Sequence, residues 1–257
     1  RKHGYYGAFF NGVRRTFMNQ GVVFSALFDP DALFLREDVT ARFPNPGLTE
    51  WGLDDETLFN AAFTVIRETA DRPGFYFIST MDTHPPYACS DPDLRTLTKS
   101  PFLNSLAGLD RNLERFVKRL DRNGLYDDDT LIVITADHSA THGENYTKRA
   151  VFDPDRIALI FLSKSGDLKH VLPTDRWCSQ LDLPVTLLAM LGFESPDSFL
   201  GSNIMTKRDC ALSRSTARMY LRRPGRPVVF WDLLKDPETP LQRALYEWTE
   251  TEYAYRR

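Results

Sequence analysis

Short apolar runs alternate with longer amphipathic segments along the first 200 residues, an order typical of an α/β protein. Four runs are rich in β-branched and aromatic residues and nearly free of charge, which predicts buried strands; they cover residues 5–10, 75–81, 130–136 and 156–162. Three segments repeat apolar residues every three or four positions, which predicts helices; they cover residues 54–70, 103–120 and 182–192.

The order of these elements predicts how the sheet is built. A helix over residues 103–120 leads into the run Thr130–Ala136, so we expect a right-handed crossover between parallel strands. The fold class is therefore α/β, a mostly parallel sheet between layers of helices. The pattern weakens after Asp197, where a basic segment and a strand at 227–231 predict a small antiparallel C-terminal subdomain. We expect two domains, residues 1–200 and 201–257.

Composition excludes several classes of function. The chain has 257 residues and a net charge of −3, with no basic patch that would indicate a nucleic-acid partner. The three cysteines are far apart and form neither a disulfide framework nor a paired-cysteine zinc site. No apolar run reaches the roughly 20 residues that span a bilayer. The sequence begins Arg1-Lys2 without a methionine, so we expect a piece of a longer protein.

Polar residues with metal chemistry follow the third predicted strand. Asp137 and His138 come directly after the run Thr130–Ala136, and ligands of α/β proteins bind at the carboxyl ends of parallel strands. A carboxylate beside an imidazole can hold a divalent metal. In the alternative interpretation, Asp137 caps the following turn and His138 hydrogen-bonds to it. His142, four residues further on, is a candidate for the metal site or for substrate contact.

Candidate anion-binding residues follow the other strands. His84 lies just after the second strand, and the two prolines that follow it stiffen its loop. Arg14 and Arg15 follow the first strand, where they could reach an anionic group; adjacent arginines are also common on solvated faces.

Four stretches together resemble the sulfatase branch of the alkaline phosphatase superfamily, and within it the phosphoglycerol and phosphoethanolamine transferases that include lipoteichoic acid synthase. Each stretch is similar to a motif of that family, and the four occur in the family's order. They are Phe75–Tyr87 with its Thr-His-Pro-Pro-Tyr ending, Leu131–His138, the helix segment Gln180–Gly192 and the segment Phe230–Glu238.

The resemblance implies an alkaline phosphatase-like fold and a hydrolase or phosphotransferase acting on phosphate or sulfate esters, with a phospholipid headgroup as one candidate donor. It implies a divalent cation, Mn²⁺ favoured over Ca²⁺, Mg²⁺ or Zn²⁺, held by Asp137 and His138. His84 would be catalytic and would bind a phosphate or sulfate oxygen, with Arg14, Arg15 and His142 as further substrate contacts.

The family forms a covalent intermediate on a nucleophile in its N-terminal half, which is not identifiable here. We therefore expect the 257-residue chain alone to be inactive and to need that half. By the same resemblance, the parent protein would be membrane-anchored and would act outside the cytoplasm, in the periplasm or at the cell surface.

Departures from the family pattern keep other hypotheses open. No cysteine begins the Cys-x-Pro-x-Arg motif of sulfatases, and Asn11 stands where the lipoteichoic acid synthases tend to have a histidine. Met18 and Gln20 replace an aromatic residue and an arginine that touch substrate in those proteins. The alternative is a degenerate family member that binds anionic glycans or lipids without catalysis. A two-metal phosphodiesterase or mutase is disfavoured, because few further histidines follow His138.

Overall fold

The computed structural model describes residues 4–27, 32–138, 157–166, 168, 178–197, 199, 201–206, 211–214, 218–222, 229–232, 239–240 and 243. Its internal contacts divide the chain into two compact units, Arg1–Ser165 and Gly166–Arg257. The predicted boundary at residue 200, between a catalytic domain and a C-terminal subdomain, stays a prediction.

The first unit contains the parallel sheet and most of the helices. Its elements are β1 (Tyr6–Asn11), a 3₁₀ turn (Phe17–Asn19), α1 (Gln20–Leu27), β2 (Leu33–Phe34), α2 (Arg36–Arg42), α3 (Asp55–Glu68), β3 (Gly74–Ser79), α4 (Pro101–Arg122), β4 (Ile132–Thr135) and β5 (Leu159–Leu162). Three strands pair in the order β2-β1-β3. Both pairings are parallel, with Phe9 opposite Leu33 and Asn11 opposite Ser79.

Side chains of β1 alternate between two apolar layers, as the pleat of a strand requires. Phe10 points into the larger core, which contains the apolar face of α3 and residues of α4. Phe9 lies in the smaller core, where its ring stacks on Phe24 of α1 at 3.9 Å between centroids. Apolar helix faces therefore cover β1 on both sides, as the run 5–10 predicted. Phe75 and Phe77 of β3 are about half exposed, so full burial of that strand was a wrong prediction.

Helix α3 begins at the predicted acids, and helix α4 ends at the predicted Asn123-Gly124. Asp54 precedes α3 and its Oδ1 accepts a hydrogen bond from the Thr57 N–H at 2.8 Å. Ser100 caps α4 through a hydrogen bond from the Leu103 N–H, with Pro101 as the first helical residue. Gly124 follows that helix with a φ of +67°, a conformation that glycine adopts without strain.

The third predicted strand is present, but its pairing differs from the prediction. β4 pairs antiparallel with β5, with Ile132 opposite Leu162, and the structure does not pair β4 with β3. The residues of β4 are partly exposed rather than buried on both faces. The β-branched run identified the strand correctly, but it contained no information about the partner, because a partner is chosen by contacts distant in sequence.

The second unit contains α5 (Asp182–Met190) and an antiparallel sheet of β6 (Ala211–Arg214), β7 (Arg218–Arg222) and β8 (Val229–Asp232). Asp182 is the first residue of α5 rather than its predicted cap. Its carboxylate accepts hydrogen bonds from the N–H groups of Ser179 and Ser202, at 2.7 and 2.8 Å. The predicted class, a parallel sheet with helices and a small antiparallel C-terminal part, is confirmed.

Among the described residues, no helix combines the length and the apolar character that crossing a bilayer demands.

Candidate active site

The loops that leave the parallel strands meet at one edge of the sheet. Asn11 and Ser79 end β1 and β3 in register. The loop after β1 then contacts the first residue of α2, just beyond β2, since the Arg36 N–H donates to the Val13 carbonyl at 3.0 Å. This is the edge where α/β proteins place their ligands.

The two arginines of the loop after β1 have different surroundings. Arg15 binds both oxygens of the Asp38 carboxylate at 2.6 Å, and its backbone N–H donates to Glu37 Oε2 at 3.0 Å. Arg14 is exposed, and its guanidinium has no ion-pair partner among the described residues. Arg14 is therefore available for an anionic ligand, whereas Arg15 holds the loop against α2.

Asn11 has a local structural role. Its side chain is buried, and Oδ1 accepts a hydrogen bond from the Val13 N–H at 3.0 Å, which closes the turn after β1. A carboxamide cannot act as an acid or a base. Asn11 therefore supplies no acid–base group and serves the local turn.

His84 lies in the loop after β3, with its ring exposed. Its Nδ1 lies 2.8 Å from the carbonyl oxygen of Pro85. A carbonyl oxygen only accepts hydrogen bonds, so Nδ1 carries a proton in this arrangement. When His84 is neutral, Nε2 consequently carries the lone pair.

Trp51 fixes the surroundings of His84. Its indole N–H donates to the Pro85 carbonyl at 2.6 Å, and its ring meets the His84 ring edge-on at 4.2 Å between centroids. The rings of Phe17 and Trp51 also meet edge-on, at 5.6 Å between centroids. Trp51 therefore connects the loop after β1 to the loop after β3. Sequence reasoning missed Trp51; the available signal was a tryptophan in the turn-rich loop before α3.

A cavity of about 400 Å³ opens beside His84. Its walls include the aromatic rings of Trp51 and Tyr87 and the opposite charges of Glu50 and Arg95. Arg95 is tied to the loop, because its Nε donates to the Cys89 carbonyl at 2.8 Å. This cavity lies next to an imidazole and has room for a small polar substrate.

Two buried carboxylates lie behind the His84 loop. Asp55 is fully buried and Asp82 is 3% exposed. Burial raises the pKa of Asp55 to about 6 against the hydrogen bonds it accepts from backbone N–H groups. Burial, together with the charge of Asp55, raises the pKa of Asp82 to about 7. The sequence indicated Asp55 only as an acid at a helix start. Asp82 was recognised as one of the polar residues that end the second predicted strand, but no role was assigned to it.

Asp137 and His138 follow β4 and are adjacent and exposed. Asp137 Oδ1 accepts the His138 N–H at 2.9 Å, and Oδ2 lies 3.7 Å from His138 Nε2. Neither residue lines the cavity beside His84. No three His, Cys, Asp or Glu side chains form a metal-binding group among the described residues. Metal binding by this pair stays a prediction, and His142 lies outside the described residues.

A family model named sulfatase matches residues 1–193. The chain belongs to the sulfatase family. This confirms the family that the four motifs indicated.

Relatives of this sulfatase-family chain include known transferases. It is 21% identical to lipoteichoic acid synthase 2 of Bacillus subtilis (strain 168) over 230 residues, which cover 80% of the chain and 34% of that protein. It is 30% identical to phosphoglycerol transferase I of Xanthomonas axonopodis pv. citri over 188 residues, which cover 67% of the chain and 26% of that protein. The matched region is thus about a third or less of each relative.

Solved structures show the same fold. A protein of the alkaline phosphatase superfamily from Vibrio parahaemolyticus has a TM-score of 0.73 at 20% identity, over 99% of this chain and 66% of that one. A lipoteichoic acid synthase from Listeria monocytogenes has a TM-score of 0.69 at 17% identity, over 99% and 70% of the two chains. The predicted alkaline phosphatase-like fold is therefore confirmed.

Proposed function

We propose that the intact protein is a metal-dependent phosphotransferase that moves a phosphoglycerol or phosphoethanolamine group from a phosphate ester such as a phospholipid headgroup donor. The covalent intermediate would form on a nucleophile outside this chain. Family membership and similarity to relatives named as such transferases support the reaction class. The observation that carries the proposal is the fixed imidazole of His84 at the carboxyl edge of the sheet, beside a cavity of about 400 Å³.

His84 would act through Nε2. Because the Pro85 carbonyl holds the Nδ1 proton, Nε2 of the neutral ring can accept a proton from an attacking hydroxyl. Once protonated, the same atom donates a hydrogen bond to a phosphoryl oxygen and offsets the charge that collects there. Both roles need the ring in one orientation, which the contacts of Trp51 supply.

Arg14 would contribute the fixed positive charge. It is exposed on the loop after β1, whereas the neighbouring Arg15 is bound to Asp38. A guanidinium matches two oxygens of a phosphate group at once. Contact of Arg15 or His142 with substrate stays a prediction.

Asp137 and His138 fit a divalent ion by the chemistry of their donor atoms. A carboxylate and an imidazole suit Mn²⁺, favoured here, and also Zn²⁺, while Ca²⁺ and Mg²⁺ prefer oxygen ligands. The two side chains are adjacent and largely exposed, and further ligands would come from outside the described residues. A bound ion would withdraw charge from a phosphoryl oxygen and activate a coordinated hydroxyl. We place the site outside the cytoplasm, on a membrane-anchored parent protein.

The test uses the intact protein, stripped of metal by a chelator and then supplied with Mn²⁺, Mg²⁺, Ca²⁺ or Zn²⁺. Release of diacylglycerol from phosphatidylglycerol is measured beside hydrolysis of p-nitrophenyl phosphate and p-nitrophenyl sulfate. We expect turnover of the phospholipid with Mn²⁺ and a decrease in kcat of about 100-fold or more in His84→Ala. Arg14→Ala should mainly raise KM.

Matched controls separate these effects from general damage. Asp137→Ala should abolish turnover with every metal, and the exposed Asp128 is its control. The exposed Arg122 at the end of α4 is the control for Arg14→Ala. The Asp128→Ala and Arg122→Ala variants should keep their turnover. Absence of turnover with all four metals and all three substrates would contradict the proposal.

A second candidate is a binding protein without catalysis. Asn11 is buried and engaged in its own turn, so one acid–base group of related transferases is lost here. Such a protein would bind anionic glycans or vesicles of anionic lipid through Arg14 and His84, and it would release no product. Vesicle co-sedimentation in the absence of turnover would favour this candidate.

A further inference from the structure

The loop that holds His84 is fastened to α3 by a buried carboxylate. Asp55, the first residue of α3, is fully buried. Its Oδ1 accepts hydrogen bonds from the N–H groups of Met81 at 2.6 Å and Asp82 at 3.2 Å. The His84 N–H in turn donates to the Met81 carbonyl at 3.0 Å. One carboxylate oxygen is therefore connected to His84 through a single backbone turn.

Asp82 adds a reciprocal contact. Its side chain is 3% exposed and lies close enough to the Asp55 backbone N–H for that group to favour its ionised form. The start of α3 and the loop after β3 are thus held together by the hydrogen bonds that Asp55 accepts, and the loop brings a second buried carboxylate, that of Asp82, to the same place.

The buried pair reduces the stability of the fold, because each carboxylate has one oxygen without a hydrogen-bond donor within the described part of the chain. Asp55 Oδ2 and Asp82 Oδ1 are buried and accept no hydrogen bond from the described residues. The charge of Asp55 raises the pKa of Asp82, and both acids lie behind the loop, in a setting where a buried polar group ordinarily has a partner. The helix that carries Asp55 is itself rigid, because its apolar face lies in the main core.

We propose that Asp55 and Asp82 are positioning residues for His84, holding its loop at the distance from α3 that places the imidazole against Trp51 and beside the cavity. This inference rests on the proposed function for its effect on turnover. Its structural half, the position of His84, is independent of that function. Neither aspartate touches substrate in this proposal; both act through the loop.

The test monitors the position of the His84 loop through Trp51. The Trp51 ring contacts His84, and its N–H donates to the Pro85 carbonyl. The intact protein is labelled with 5-fluorotryptophan, and Trp51→Phe identifies the ¹⁹F resonance of Trp51. We expect Asp55→Ala to shift that resonance and to lower kcat/KM for the phospholipid donor about 100-fold, the scale of a misplaced catalytic group. Asp55→Asn keeps an acceptor oxygen at the same place and should restore most of both signals.

Asp182 provides the matched control. It too is the first residue of a helix, largely buried, and accepts two backbone N–H groups. Asp182→Ala should leave the Trp51 resonance unchanged. Because Asp55→Ala could fail to fold, Asp82→Ala is measured in parallel; it removes the reciprocal contact and leaves the hydrogen bonds to Asp55 in place. It should shift the same resonance.

The outcomes distinguish the two proposals. An unchanged Trp51 resonance in the folded Asp55 and Asp82 variants would overturn the positioning role, whatever the activity. The same shift in Asp182→Ala would also overturn it, since the effect would then be general destabilisation. A shift confined to the Asp55 and Asp82 variants, in a protein with no turnover at all, would support the positioning role. Only the proposed transferase function would then be contradicted.

Discussion

The buried pair Asp55 and Asp82 should make the stability of the first unit depend on pH. Burial raises the pKa of Asp55 to about 6 and that of Asp82 to about 7 in the folded chain, above their ordinary value of 3.8. At pH values above 3.8 and below about 6 or 7, the folded protein keeps protons on these two carboxyls that the unfolded chain has released. The stabilisation is thus fully present below about pH 4 and is lost as the pH rises through the folded pKa values.

The slope of this dependence follows from counting protons. Each proton that the folded state holds in excess lowers the free energy of unfolding by about 1.4 kcal/mol per pH unit. From pH 5 to pH 6, wild type holds up to two such protons, one on each aspartate. Asp82→Asn removes one titrating group, the one with the higher pKa in the folded chain. The slope of the variant should therefore be shallower by about 1.4 kcal/mol per pH unit.

The measurement is a urea titration at several pH values with pulsed hydrogen exchange read by mass spectrometry. Peptides from β1 and α3 report the first unit by itself. Wild type and Asp82→Asn share their other titrating groups, so the difference between their slopes isolates the pair. The absolute stability of the variant does not enter the comparison.

Asp91→Asn is the matched control. Asp91 is also buried, but its hydrogen bond to Arg111 lowers the pKa of its carboxyl. Asp91 is thus ionised in both states between pH 5 and pH 6, and its loss should leave the slope unchanged. Equal slopes for wild type and Asp82→Asn would refute the argument, because Asp82 would then ionise in the folded chain as it does in the unfolded one.

Two further changes test the core and a helix end, with the urea midpoint of the same peptides as the measurement. Phe63→Ala should cost about 3–5 kcal/mol, since the ring is fully buried in the core; Phe75→Ala, at a half-exposed strand position, should cost far less, and equal losses would contradict the assigned core. Ser100→Ala should cost about 1 kcal/mol, since its side chain caps α4 through the Leu103 N–H; an unchanged midpoint would contradict that cap.

Local signals in the sequence identified most of the elements. Helix α3 was predicted from the acids at its start and the spacing of its apolar residues, and Asp54 does cap it. The apolar run 75–81 located β3, although the strand ends at Ser79. These signals succeed because capping and side-chain periodicity involve neighbours within one or two turns.

The site was less accessible to the same reasoning. His84 could be proposed from its place after a strand, but its contacts with Trp51, 33 residues earlier, could not. The two arginines were equivalent in sequence, and Asp38 alone distinguishes them by binding Arg15. β4 was expected to run in a parallel sheet with β3, and it pairs antiparallel with β5 instead.

By itself, the sequence determined the family, the positions of most of the strands and of helices α3, α4 and α5, and the polar residues that follow the predicted strands. Tertiary structure alone decided which of those residues meet, because strand pairing and side-chain contacts depend on segments far apart in the chain. The clearest case is Asp55: a helix-start acid by sequence, it becomes the acceptor that holds the His84 loop, because folding brings Met81 and Asp82 against it.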